Sequence, residues 1–247
     1  RRVLLRSPDD RSASGPRYAP GWVAADIDSG LTGPVAMLGL STQRPAPGKA
    51  ASPDPALSTA QAFRISLAAD GISVGSVIDR AASPEGSPDL GVVQSAPVAD
   101  VMALALDDSD DALTESLARQ GAVLAGRPTS FAAVVAWVTE TVASKGVAMD
   151  GVTLVDTSGL SPGTLIPARA LGDVLSLAAG GQDPALQDVV GQLPVAGLSG
   201  TLADRFVKGS VHPAAGSVRA KTGPLTGASS LAGPCVDREG GVVPFSF

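Results

Sequence analysis

Asparagine is absent from this 247-residue chain, and cysteine and histidine occur once each, as Cys235 and His212. A single cysteine excludes an internal disulfide and a cysteine metal cluster, and a single histidine removes the usual multi-histidine metal sites. No metal or other cofactor is therefore expected. No apolar run is long enough to span a bilayer, and the apolar stretch in the N-terminal RRVLLRSPDD is too short for a signal peptide. The basic residues form no run and the net charge is −6, which leaves no electrostatic footprint for a nucleic-acid partner. With 44% apolar residues the chain has ample material for a buried core, as one large domain or two small ones.

Two Pro, Gly and Ser-rich stretches, RPAPGKAASPDP (44–55) and AASPEGSPDLG (81–91), lack apolar periodicity and read as surface connectors. Between them, Asp54 caps a helix starting at Pro55, with Leu57, Ala60, Phe63 and Leu67 on one face and Gly71 as its stop. A short strand, ISVGSVI, follows. Val98, Val101, Met102 and Ala105 then line a second helix, Leu113 and Leu117 begin a third, and Phe131 to Val142 form an apolar stripe between a Ser130 cap and a Gly146 stop. VTLV (152–155) reads as a buried strand. Pro167 to Ala179 reads as a helix with Leu171, Val174, Leu175 and Ala178 inward, and Ser199 to Phe206 as a short capped helical turn. Ser217–Lys221, Ala228–Ala232 and Gly241–Phe247 read as strands, the last two joined as a hairpin at DREGG. Helices first and antiparallel strands last make an α+β layout, helices packed on one sheet.

Four places carry residues suited to chemistry, each with a plain structural alternative. Gly71-Ile72-Ser73-Val74-Gly75 matches the nucleophile-elbow pattern, with His212 downstream, but that elbow needs strand, turn and helix in order, whereas here a helix precedes and Ser73 falls in the strand. In DDSDDALTE (107–115), Ser109 or Asp108 can cap a helix whose dipole suits the acids, with Glu115 facing solvent. DTSGLSPGT (156–164) is a strand-exit loop whose hydroxyls can satisfy turn amides. In RAKTGPLTG (219–227), a lysine beside a hydroxyl can grip a carboxylate, and the glycine lets a substrate backbone approach the strand.

Taken together, SVRAKTGPLTGASSLAG, LPVAGLSGTLADRF, VDTSGLS and SDDALTESLAR resemble the D-Ala-D-Ala carboxypeptidases of peptidase family S13, the class C low-molecular-mass penicillin-binding proteins. The resemblance runs from APGW (19–22) onward. It implies a serine acyl-enzyme that cleaves the terminal D-Ala or a cross-bridge of peptidoglycan outside the bacterial cytoplasmic membrane, at the cell wall, and is acylated by β-lactams. The implied partners are a peptidoglycan stem peptide or a β-lactam. It also implies a transpeptidase-like penicillin-binding domain at 96–247, incomplete, with 1–95 the remnant of an N-terminal or inserted domain.

The family's three motifs map unevenly. None of the four lysines, Lys49, Lys145, Lys208 and Lys221, has a serine three residues before it; the residues there are Ala46, Val142, Arg205 and Val218. The Ser-x-x-Lys nucleophile motif is thus absent, and the chain is expected to begin inside the insertions and to be inert alone. Apolar surface left open by such a truncation would invite self-association. The Ser-x-Asn motif aligns on Ser109-Asp110-Asp111: Ser109 takes the catalytic hydroxyl position and Asp111 the substrate-binding amide position, with an acceptor-only carboxylate where the amide also donates. Thr164 likewise falls where the family pattern has Asn. Lys-Thr-Gly aligns on Lys221, a catalytic position, and on the substrate-binding Thr222 and Gly223. The next residue, the family's oxyanion donor, is Pro224, which has no N–H. Two further readings stay open: a degenerate homologue that binds peptidoglycan or a partner without chemistry, and an α/β-hydrolase-type esterase using Ser73. Pro234 and Pro244 would sit best at edge or non-hydrogen-bonded strand positions.

Overall fold

The computed structural model describes residues 2–3, 15–75, 77–81, 85–88, 90–181 and 183–247. Short capping side chains start four of its helices. Asp54 accepts Leu57 N–H to open α2 (Pro55–Ala69), and Asp110 accepts Leu113 N–H to open α4 (Asp111–Leu124). Ser130 accepts Ala133 N–H before α5 (Phe131–Ser144), and Asp183 accepts two N–H groups before α7 (Pro184–Gly191). The five-residue α1 (Ala24–Asp28) has no side-chain cap; α3 (Val98–Asp108) and α6 (Ala168–Ala179) begin directly after Pro97 and Pro167. Gly71 and Gly146, at φ 75 and 88, make the left-handed exits from α2 and α5.

β1 (Arg2–Val3) and β2 (Ser73–Val74) pair in parallel. The main sheet is antiparallel in the order β3 (Lys221–Leu225), β4 (Ala228–Val236), β5 (Val242–Ser246). α6 lies against β4 and β5, and α3 packs on α4, on α7 and on a 3-10 turn at Gly200–Leu202. This is the α+β architecture expected from the element order. One apolar cluster joins Ala19, Trp22 and Val35 to Ala112, Phe131 and Leu160, drawing on both sides of position 95. A second, Ala196, Leu202, Val218 and Ala220, sits under the sheet.

Several local expectations are corrected. α3 runs through Asp108, so Ser109 closes that helix in the left-handed conformation and Asp110, neither Ser109 nor Asp108, caps α4. Glu115 faces inward and is 2% exposed, because three donors from the 157–158 loop meet its carboxylate. α2 buries only Ala56 and Ala60, leaving Phe63 exposed, and Val98 is exposed at the open start of α3. Of VTLV, only Thr153 makes a bridge, to Leu165. The strand ISVGSVI shortens to Ser73–Val74, and the turn at Ser199–Phe206 to Gly200–Leu202. β3 starts at Lys221, where a strand had been expected to end, because 218–220 is held between backbone segments 194–196 and 234–236. α1 and α7, only five and eight residues long, are helices that the sequence reading does not include.

Candidate active site

Hydrogen bonds between Leu231 and Phe247 set the alternation of the sheet: odd residues of β4 turn their N–H and C=O toward β5, and even residues toward β3. On β3, Lys221, Gly223 and Leu225 therefore bond to β4, while Thr222 and Pro224 turn their backbone to the outer edge. Upstream that edge is covered, since Ala220 N–H donates to Pro194 C=O and Ala196 N–H to Val218 C=O. Thr222 is still buried, and the edge opens beyond it, at the exposed Pro224 and Leu225. Pro224 thus takes no hydrogen bond from the ladder; the donor it lacks is one that would point out of the open edge. Pro234 and Pro244 face each other at a non-hydrogen-bonded pair. Pro244 turns its nitrogen to the outer side of β5, and Pro234 uses its carbonyl to accept from Arg219.

The two motif segments meet. Lys221 Nζ donates to Ser109 Oγ at 2.7 Å and to its own neighbour Thr222 C=O at 2.9 Å. The Thr222 hydroxyl is 2.9 Å from Thr201 Oγ1 in the 3-10 turn, and Thr222 is 4% exposed. Gly223 faces Ser230 so closely that a Cβ would strike its hydroxyl, so packing across the hairpin already favours glycine there. Ser109 itself is held at φ 55, between the end of α3 and the start of α4.

Electrostatics single out Asp111 at the first position of α4. Burial pushes its carboxyl from the ordinary 3.8 up to about 7; Lys221 pulls the other way, and Asp110, Asp156 and Glu115 add to the rise. Burial lowers the Lys221 ammonium below its ordinary range, opposed by Asp111. Burial also raises Glu115, although Thr157 N–H, Thr157 Oγ1 and Ser158 N–H donate to it at 2.6–2.7 Å. Asp156, fully buried, accepts from Trp22 Nε1, Gly159 N–H and Ser161 N–H. The DTSGLS loop is thus tied by two buried carboxylates beneath the Ser109 turn.

The remaining candidates lie elsewhere or lack the needed context. Ser73 is exposed on the two-residue β2, and among the described residues the next helix begins at Val98, so they show no strand-turn-helix of a nucleophile elbow. The His212 backbone lies in a 3-10 turn at Gly209–Ala214; its side chain is outside the described residues. Thr164 Oγ1 accepts Val155 N–H across the loop. Among the described residues no group of His, Cys, Asp and Glu could hold a metal ion, and no helix is long and apolar enough to cross a membrane. Residues missed in the sequence are Thr201, Ser199, Asp107 and Arg44. Ser199 Oγ donates to Asp107 Oδ1 at 3.1 Å, tying the 3-10 turn to the end of α3. Arg44, in a stretch that reads as a surface connector, reaches both acids flanking Ser109.

Comparison with known proteins agrees with this layout. Carboxypeptidase DacB of Mycolicibacterium smegmatis is 39% identical over 250 residues, covering 100% of this chain and 54% of that protein. A D-alanyl-D-alanine carboxypeptidase of Actinomadura sp. is 31% identical, covering 94% of this chain and 44% of that protein. The chain spans about half the length of the curated relatives it matches. Penicillin binding protein 4 of Haemophilus influenzae shares the fold, with a TM-score of 0.74 at 20% identity over 97% of this chain and 67% of that one. A structure of the same protein complexed with a β-lactam aligns at TM-score 0.66 and 27% identity, over 80% of this chain and 45% of that one. The sequence pattern of the D-Ala-D-Ala carboxypeptidase 3 (S13) family matches residues 41–247, and the chain belongs to that family.

Proposed function

We propose that the protein carrying this chain is a serine-type D-Ala-D-Ala carboxypeptidase or endopeptidase acting on peptidoglycan stem peptides outside the cytoplasmic membrane, acylated by β-lactams and using no metal or cofactor. The observation that carries the proposal is the 2.7 Å bond between Ser109 Oγ and Lys221 Nζ, which unites the Ser-x-Asp turn and the Lys-Thr-Gly strand at one open sheet edge. In this reading residues 96–247 form an incomplete penicillin-binding domain and 1–95 are the remnant of an N-terminal or inserted one, whose Ala19, Trp22 and Val35 share a core with Ala112, Phe131 and Leu160. Lys221 holds the Ser109 hydroxyl and supplies positive charge toward a substrate carboxylate. Ser109 relays a proton, and Thr222 adds a hydroxyl at the same edge. The edge of β3 pairs with the extended stem peptide, Gly223 lying at its centre. Asp111 stands where the family's amide grips the substrate. At a pKa of about 7 it is half protonated near neutral pH, so it can donate as well as accept, replacing part of what the amide would do. Pro224 leaves the oxyanion without the backbone donor of that position, which lowers the rate by about 10²–10³.

These 247 residues contain no Ser-x-x-Lys, and we propose that on their own they are not acylated. A fluorescent penicillin tests both statements. The protein as encoded, whatever its length, should be labelled covalently, and the 247-residue chain should not. Labelling at a defined serine of this chain would overturn the second statement. Absence of label on the encoded protein, with binding of peptidoglycan retained, would establish the non-catalytic reading instead.

A further inference from the structure

Among the described residues, the acids next to Ser109 other than Asp111 have hydrogen-bonded partners. Asp107 accepts from Ser199 Oγ at 3.1 Å, and a Cβ on Gly200 would meet the Asp107 carboxylate, so the 3-10 turn sits directly on this residue. Arg44 closes the other side. Its Nε donates to Asp110 Oδ2 at 2.7 Å and its terminal nitrogen to Asp108 Oδ2 at 3.2 Å, so one guanidinium spans the residues immediately before and after Ser109. Asp110 is 6% exposed and already spends Oδ1 on Leu113 N–H. Its second oxygen has Arg44 as partner. Without that cation, Asp108, Asp110 and Asp111 would crowd three carboxylates around a serine in a backbone conformation that side chains disfavour.

We propose that Arg44 is a positioning residue for the active site: by bridging Asp108 and Asp110 it locks the left-handed turn that aims the Ser109 hydroxyl at Lys221. The planar fork of arginine suits this task, since it reaches two carboxylates in fixed directions where an ammonium would serve as a point charge. Arg44 touches neither Ser109 Oγ nor Lys221 in this arrangement and acts only through the backbone between them. The inference rests on the function proposed above only for its kinetic consequence; its geometric content stands apart.

The test uses the encoded protein with Arg44→Ala and Arg44→Lys, and Arg127→Ala as a control, because Arg127 makes an exposed pair with Glu140 far along the chain from the site. Acylation by a fluorescent penicillin is followed over concentration to separate binding from the chemical step. Arg44→Ala should slow the chemical step about tenfold or more with less than about threefold change in apparent binding, and ethylguanidinium in the buffer should recover part of the loss. Arg44→Lys should fall between, and Arg127→Ala should match the parent. A crystal structure of Arg44→Ala should show Ser109 out of the left-handed region or its hydroxyl beyond hydrogen-bond distance of Lys221. Parent-like acylation by Arg44→Ala, or a retained Ser109–Lys221 bond in its structure, would overturn the inference. If Arg44→Ala does not fold, Arg44→Lys decides: a parent-like chemical step in that variant refutes the requirement for a fork. Should the parent itself resist acylation, the function proposed above fails, and the crystal structure still decides the role of Arg44.

Discussion

Replacing Asp111 with Asn removes the titrating carboxyl and, in the proposed reading, supplies the amide expected at that position. Burial holds the folded Asp111 at about 7 against an ordinary 3.8. At about 1.4 kcal/mol per unit, the ceiling on the associated free energy is about 4 kcal/mol. The partial compensation by Lys221 disappears with the carboxylate, and water reaches a half-buried group, so about 2 kcal/mol is the working value. The folded chain keeps the proton that the unfolded chain has lost between pH 4 and 7. Asp111 therefore costs nothing below pH 4, destabilises progressively as pH rises, and reaches its full cost above pH 7. Urea unfolding of parent and Asp111→Asn at pH 4.5 and pH 8 reads this effect together with its coupling to neighbouring acids, because carboxylates away from the site titrate alike in both. The variant's stability advantage should grow by about 2 kcal/mol between the two pH values. A constant difference would show that Asp111 is solvated. An advantage that shrinks with pH would mean that attraction to Lys221 outweighs desolvation, and would refute the account of this site.

Two further substitutions probe neighbouring parts. Pro224→Ala adds an N–H on the outer edge of β3 without touching the ladder, so unfolding free energy should change by no more than about 1 kcal/mol, while acylation of the encoded protein rises by up to about 10²–10³. Denaturant melts and penicillin labelling measure the two, and a large loss of stability would show that the assigned strand phase is wrong. Glu115→Ala strips the acceptor from Thr157 N–H, Thr157 Oγ1 and Ser158 N–H in the interior, and should cost about 2–4 kcal/mol in urea unfolding. A neutral result would mean that the DTSGLS loop finds other partners.

Elements with strong local codes were readable from the chain. Asp54 before Pro55 and Ser130 before an apolar stripe located two helices, and Gly71 and Gly146 their exits, because caps and left-handed stops act over a few residues. Apolar period failed where a helix has little to pack against, as at Phe63 and Val98, since period reports amphipathicity and not the presence of a neighbour. The start of β3 is hidden from the sequence for a related reason: 217–220 has a strand-like pattern, and backbone partners on both sides, distant in sequence, settle where the ladder begins.

The site divides in the same way. The resemblance of four sequence blocks to a known family singled out Ser109, Asp111, Lys221, Thr222, Gly223 and Pro224, because a motif is written in consecutive residues. The inward turn of Glu115, the raised pKa of Asp111 and the reach of Arg44 across 66 positions to Asp110 came only from the fold. Burial and charge proximity belong to three-dimensional neighbours, and an arginine in a proline-rich stretch carries no local mark of the carboxylates it will meet. Sequence alone determined which groups this protein could use; tertiary structure decided which of them share one low-dielectric space, and therefore which are charged, held and aimed.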